Sequence, residues 1–282
     1  MGTKHGLNPD FTHGKVLNHV VAYLMALIIL VPMIILLNTS FKTTEEYFLT
    51  GVFSFPENLI FDNYLETLTR GNLAVAFRNT GILVVFTVST SLLLGSMASY
   101  VLARFQFPLR KAIMFGFVFG MVVPGMVTEV ARFTVIRALG LFNSIGAGML
   151  LMSSANVIQI YVFLQFINKI PRSLDESALM DGASYFTIFF RIILPLMTPA
   201  LATVTVLKAI AVYNNVLVPY LYMPTNRLAV VSTALMRFAK DEVANWPLMS
   251  AGILLVMIPT LLLYIALQRY IISGLTGGSV KY

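Results

Sequence analysis

Six stretches of this chain, at about 16–37, 79–103, 112–128, 144–167, 197–221 and 248–268, are mostly apolar, the fifth least clearly because Lys208, Asn214 and Asn215 interrupt it. A helix needs about 20 apolar residues to cross the hydrocarbon core of a bilayer. No stretch shows the period-two alternation of a membrane strand, so helices rather than a barrel are implied. Composition agrees. The chain is 58% hydrophobic and 11% charged, with a mean hydropathy of +0.83, where soluble proteins average about 45–50% apolar and about 25% charged. The expected fold is an all-α polytopic membrane helix bundle with six transmembrane helices. The first stretch, VLNHVVAYLMALIILVPMIILL, is too long for a signal-peptide core and is followed by no small-residue cleavage site, so it reads as a retained anchor.

Lysine and arginine placement gives the orientation. With the N-terminus in the cytoplasm, ten of these residues, from Lys4 to Lys281, fall inside and eight, from Lys42 to Lys240, fall outside. Counting acids widens the contrast, and both termini are expected in the cytoplasm. The net charge of +7 is scattered rather than striped, which argues against a nucleic-acid partner. The chain has no cysteine, which excludes disulfides and thiolate metal sites.

Small residues mark packing faces. Thr87, Ser91, Gly95 and Ser99 recur every four residues and share one face of the second span, which lets a neighbouring backbone approach. Gly116 and Gly120 repeat that spacing in the third span, with a kink expected at Pro124.

The segment between spans four and five, IPRSLDESALMDGASYFTIFFRIILPLMTPAL, is the most informative. Ser173 and Glu176 have capping-box spacing, which predicts a helix from Leu174. Gly182 suits the left-handed turn that ends it. Ser184 can cap a second helix carrying Tyr185, Phe186, Phe189, Ile192 and Ile193, predicted to stop near Leu194 because Pro195 disfavours helical geometry there. A cytoplasmic helix-turn-helix over 173–199 results. Glu176 can be read as the partner of Ser173 or as an outward contact. Asp181 either helps cap the second helix or faces a partner.

These residues resemble the loop shared by membrane subunits of ABC importers, which reads EAA, three residues, G, nine residues, then I-x-LP. Here Glu176-Ser177-Ala178, Gly182, Ile192 and Leu194-Pro195 match at six of seven defined positions, Ser177 replacing Ala. Asp181-Gly182-Ala183, Pro199, Ile170-Pro171 and the ending QRYIISGLTGGSVK resemble the carbohydrate branch, and the layout is similar to the maltose-type permeases.

The resemblance implies a coupling loop in which Glu176, Ser177, Ala178, Asp181 and Gly182 dock on a separate ATPase subunit. It also implies a core over 72–270, preceded by a cytoplasmic segment, span and external loop (1–71) and followed by a cytoplasmic tail (271–282) that reaches toward the ATPases. The implied partners are a second related permease, two ATPase subunits, an extracytoplasmic sugar-binding protein and the lipid of a bacterial or archaeal plasma membrane. The resemblance further implies that this chain binds no cofactor and is a transporter subunit rather than an enzyme. The chain carries no G-x-x-x-x-G-K-[ST] phosphate loop, so ATP and Mg would be handled by the partner ATPase.

Polar residues inside spans are candidates for a transport path. Lys208 either snorkels to the cytoplasmic face or faces a pathway. Tyr213, Asn214 and Asn215 supply the aromatic face and amides that a sugar path needs, although the Asn pair is equally readable as a helix break or interhelical bond. Gln159 reads as a packing hydrogen bond. Glu129, Arg132 and Arg137 read as a solvated ion-pair rim, and the loops at 38–78 and 222–247 as docking surfaces for a binding protein. Trp246 reads as an interface anchor. Two other classes stand beside the importer of sugars: an importer of a non-sugar solute, and an ion-coupled secondary transporter, which the near absence of acids in the spans disfavours.

Overall fold

The computed structural model describes residues 9–241 and 245–276. Lys4, Lys281 and the Gly-rich tail after Thr276 lie outside the described residues. Contacts divide the chain into two compact units, Met1–Gly71 with Phe238–Leu255, and Asn72–Arg237 with Val256–Tyr282.

The first unit contains α1 (Pro9–Ser40), α2 (Thr44–Thr50) and α3 (Asp62–Arg70). The segment after α1 is tied down by polar side chains. Lys42 is fully buried, and its ammonium donates to Gly51 O (2.7 Å) and Ser54 Oγ (2.6 Å). Asn38 Nδ2 donates to Val52 O and Ser54 O, and Asn63 Nδ2 to Ser40 O and Lys42 O. Buried polar groups need such partners, and here they order the segment together with the ring contacts of Phe41 with Phe61 and Tyr64.

The second unit contains α4 (Leu73–Arg104), α5 (Arg110–Val122), α6 (Gly125–Ala138), α7 (Ile145–Met152), α8 (Val157–Lys169), α9 (Arg172–Met180), α10 (Tyr185–Ile188), α11 (Leu194–Leu196), α12 (Thr198–Tyr213), α13 (Leu217–Tyr222) and, up to Arg237, α14 (Val231–Asp241). Beyond Val256 it also takes in α15 (Trp246–Thr276). No strand occurs among the described residues.

α1, α4 and α15 are each long and apolar enough to cross a membrane alone, and the number rises to six if each of three bent pairs forms one span. The third expected span, 112–128, is not continuous. α5 and α6 meet at 107°, and the break falls at Pro124, whose ring and missing N–H cannot continue the helix. Gly116 and Gly120 face open space, so their spacing does not mark a packed face within this chain. The fourth span bends by 50° at Ser153–Asn156.

α4 is the central post, packing mainly against α8 and α12. Its small-residue face is the contact: Thr87, Ser91, Gly95 and Ser99 are all buried. A Cβ on Gly95 would run into Gln159 Nε2, so glycine allows this approach without moving that amide. Ser91 Oγ lies 2.9 Å from Gln159 Oε1, and Gln159 Nε2 donates to Ser91 O (2.7 Å). The expected packing bond of Gln159 is therefore present, closed at both ends of its amide.

Candidate functional site

The segment from Ile170 to Pro199 follows α8 and lies beside the C-terminal end of α4. α9 starts at Arg172, earlier than the predicted Leu174, and no side chain caps it. Pro171 fixes the entry geometry with φ −57 and thereby takes over the role expected of Ser173, which lies inside the first turn and is exposed. Only Asp175 and Ala178 of α9 are buried. They stand three residues apart and so share one face, turned toward the bundle. Glu176, Ser177, Leu179, Met180 and Asp181 are exposed.

Asp175 meets a partner that its own segment does not reveal. Arg104 Nε, at the end of α4, lies 2.6 Å from Asp175 Oδ2, and both side chains are largely buried. The contact is a charge pair rather than an aligned hydrogen bond. Arg104 Nη2 also donates to Ile170 O (2.9 Å), and Arg172 Nη2 to Ala103 O (3.3 Å). Burial raises the Asp175 carboxyl above its usual 3.8 against the pull of Arg104. The pair therefore fixes the position of α9 more than it adds net stability.

The turn after α9 follows the expected hinge. Gly182 has φ +80, a region glycine enters without penalty. Ala183 N–H donates to Ala178 O and Gly182 N–H to Leu179 O, the two bonds of a Schellman motif. Asp181 is the C-cap of α9, and the cap of the second helix is Ser184, whose Oγ accepts from Thr187 N–H (3.2 Å).

The second arm departs from expectation at its far end. The helix does not stop at Leu194. A π-turn over Phe189–Ile193 carries it on, Leu194 N–H donating to Phe189 O, and the break falls at Met197 with a bend of 76°. The wider turn accommodates Pro195, which has no N–H to give. This arm splits its apolar residues between two faces. Ile188, Phe189 and Ile193 are buried, while Tyr185, Phe186 and Phe190 are exposed. Tyr100, Phe105, Tyr185 and Phe189 line an apolar cavity of about 130 Å³ beside α4.

The polar candidates further along are not gathered into one cluster. Lys208 donates to Ser154 O (2.8 Å) at the break between α7 and α8. Tyr213 donates to Val256 O of α15 (2.7 Å) and borders a cavity of about 270 Å³ with Phe77, Thr80, Pro259 and Thr260. Asn214 is exposed at the end of α12, whereas Asn215 Oδ1 accepts from Val218 N–H and caps α13. Glu129 pairs with Arg132 (2.9 Å) and accepts from Tyr222 OH (2.8 Å), while Arg137 sits over the Phe133 ring. Part of the loop at 222–247 is held to α4: Asn79 Nδ2 donates to Arg227 O and Ala229 O, and Val231 N–H to Thr80 Oγ1. Trp246 is half exposed at the start of α15.

A family model described as binding-protein-dependent transport system inner membrane component matches residues 91–277. The melibiose/raffinose/stachyose import permease MelC of Bacillus subtilis (strain 168) is 30% identical over 253 residues, covering 89% of this chain and 91% of that protein. The diacetylchitobiose uptake permease NgcG of Streptomyces coelicolor is 30% identical over 269 residues, covering 94% and 88%. A solved bacterial ABC transporter involved in import of the acidic polysaccharide alginate contains a chain that superposes with a TM-score of 0.82 at 25% identity, covering 95% of this chain and 99% of that one.

Proposed function

This chain belongs to the family of binding-protein-dependent transport system inner membrane components, and from that premise we propose that it is the permease subunit of an importer for a sugar or oligosaccharide. In this reading it forms one half of the translocation pathway, beside a second related permease, and receives its cargo from an extracytoplasmic binding protein. Its relatives that import melibiose, raffinose, stachyose and diacetylchitobiose support a saccharide cargo.

The observation that carries the reading is the build of α9. Its inner face is clamped to the bundle through Asp175, Arg104 and Ala178, and its outer face offers Glu176, Ser177 and Met180 to a partner. A clamped helix transmits a push. Force on the outer face reaches α4 through Arg104 and reaches α12 through the hinge at Gly182 and the second arm. ATP and Mg are bound and ATP hydrolysed in two separate ATPase subunits, and α9 delivers the resulting motion to the spans. Ala178, turned inward, supports the docking face from behind, while Glu176, Ser177 and Asp181 contact the ATPase.

The test is Glu176→Lys in the complete importer reconstituted in vesicles. The protein inserts and assembles, and ATP-driven uptake is lost because an acidic contact has become basic. Unchanged uptake overturns the docking role.

A further inference from the structure

With Arg104 on α4, Lys169 on α8 and Thr198 on α12 taken as one edge of the hydrocarbon core, helix lengths put the break between α7 and α8 near mid-membrane. α8 has 13 residues between the break and the coupling end, which at 1.5 Å per residue is about 20 Å. Ser91 precedes Arg104 on α4 by a similar distance, again about 20 Å. Lys208 stands ten residues after Thr198 on α12, about 15 Å. The hydrocarbon core is about 30 Å thick. On that frame all three helices bring their polar groups to within about 5 Å of its centre.

At that depth Ser153–Asn156 is not helical, and Ser154 and Asn156 are exposed on the surface of the chain. Non-helical backbone at membrane depth does not face lipid; it is buried in protein or lines a water-filled cavity. Lys208 Nζ donates to Ser154 O at this break, and Ser91 Oγ approaches the same carbonyl at 3.4 Å. Among the described residues no carboxylate pairs with Lys208. A carbonyl dipole answers only part of an ammonium's charge, and a cation held at this depth is costly unless it is used.

We propose that Lys208 and the Ser153–Asn156 break form a mid-membrane subsite that takes the anionic group of an acidic saccharide, a carboxylate or a sulfonate, passing through the pathway. The cargo supplies the charge that the chain lacks, and the exposed Ser154 and Asn156 face the neighbouring hydroxyls. Gln159 and Gly95 hold the break against α4 from the protein side. The inference rests on the importer reading above.

The test uses the complete importer in vesicles, with uptake measured for uronate oligosaccharides and for neutral oligosaccharides of the same length, in wild type, Lys208→Met and Lys208→Arg. Wild type takes up the uronates. Lys208→Met lowers their uptake efficiency by ~10-fold or more, the loss of one charge-assisted hydrogen bond, Lys208→Arg keeps most of it, and any neutral saccharide is carried alike by all three. Equal losses for acidic and neutral cargo in Lys208→Met overturn the proposal and leave Lys208 as a tie to Ser154. Wild-type uptake of neutral saccharides alone also overturns it while the importer reading stands. Uptake of no saccharide overturns both.

Discussion

Gly182 offers a substitution whose cost can be worked out from geometry alone. Its φ is +80, and a Cβ built there meets nothing within 4 Å. Replacement therefore strains the backbone without adding a clash. The left-handed region costs an ordinary L-residue about 1–2 kcal/mol, less for asparagine, which visits it readily, and more for a β-branched residue. A penalty of that size changes an equilibrium by a factor of about 5–30. Gly182→Ala is expected to lower the ratio of formed to open hinge by that factor. Gly182→Asn should lower it less and Gly182→Val more. Hydrogen exchange at the Gly182 and Ala183 amides reads the ratio directly, because those two N–H groups make the hinge bonds to Leu179 and Ala178. Uptake by the reconstituted importer should follow the order Gly, Asn, Ala, Val. If the position were instead reserved for close contact with a partner, side-chain size would decide and Ala would outperform Asn. That ranking would refute the strain argument.

Other expectations concern the packing behind the site. Asp175→Asn leaves the Arg104 guanidinium, which cannot give up its charge, buried without its anion and should cost about 3 kcal/mol in a thermal or chemical unfolding assay, whereas Arg104→Met should cost less because the Asp175 carboxyl, already raised by burial, can take a proton. The sign follows from the raised pKa. The stability Asp175 contributes is fully present below its ordinary 3.8 and is lost as pH rises through the elevated folded value. Wild type and Asp175→Asn should therefore differ in pH dependence only across that interval, and parallel curves would contradict the assignment. Gly95→Ala drives a methyl into Gln159, whose amide is held at both ends by Ser91, and should destabilise by about 1–3 kcal/mol. Combining it with Gln159→Ala should recover part of that loss in a double-mutant cycle.

Much of the scaffold was legible because local chemistry decided it. The small-residue face of α4 announced itself by four-residue spacing, and Gly182 and Ser184 each do the local job their residue type suggests. The start of α9 was misjudged because two signals competed there, and the fixed φ of Pro171 prevailed over the Ser173–Glu176 spacing. The second arm ran past Leu194 because a π-turn absorbs a proline in a way that no local rule anticipates. Arg104 and Asp175 were missed as a pair because they come from separate elements, α4 and α9. The usable signal was the spacing of Asp175 and Ala178, which places a carboxylate on the same inward face as a small apolar residue. Lys208 could be flagged by its depth, but its partner is a backbone carbonyl at Ser154, and a carbonyl leaves no mark in a sequence.

The central claim is that the outer face of α9 is where a separate ATPase drives this permease. The chain has no native cysteine, so Ser177→Cys carries a single thiol on that face. A short thiol-to-amine cross-linker applied to the assembled importer should join this chain to the ATPase subunit, and the yield should change when ATP is added. Leu49→Cys, exposed on α2 in the segment expected on the far side of the membrane, should give no such product. Cross-linking to the ATPase from Leu49→Cys but not from Ser177→Cys would contradict the account.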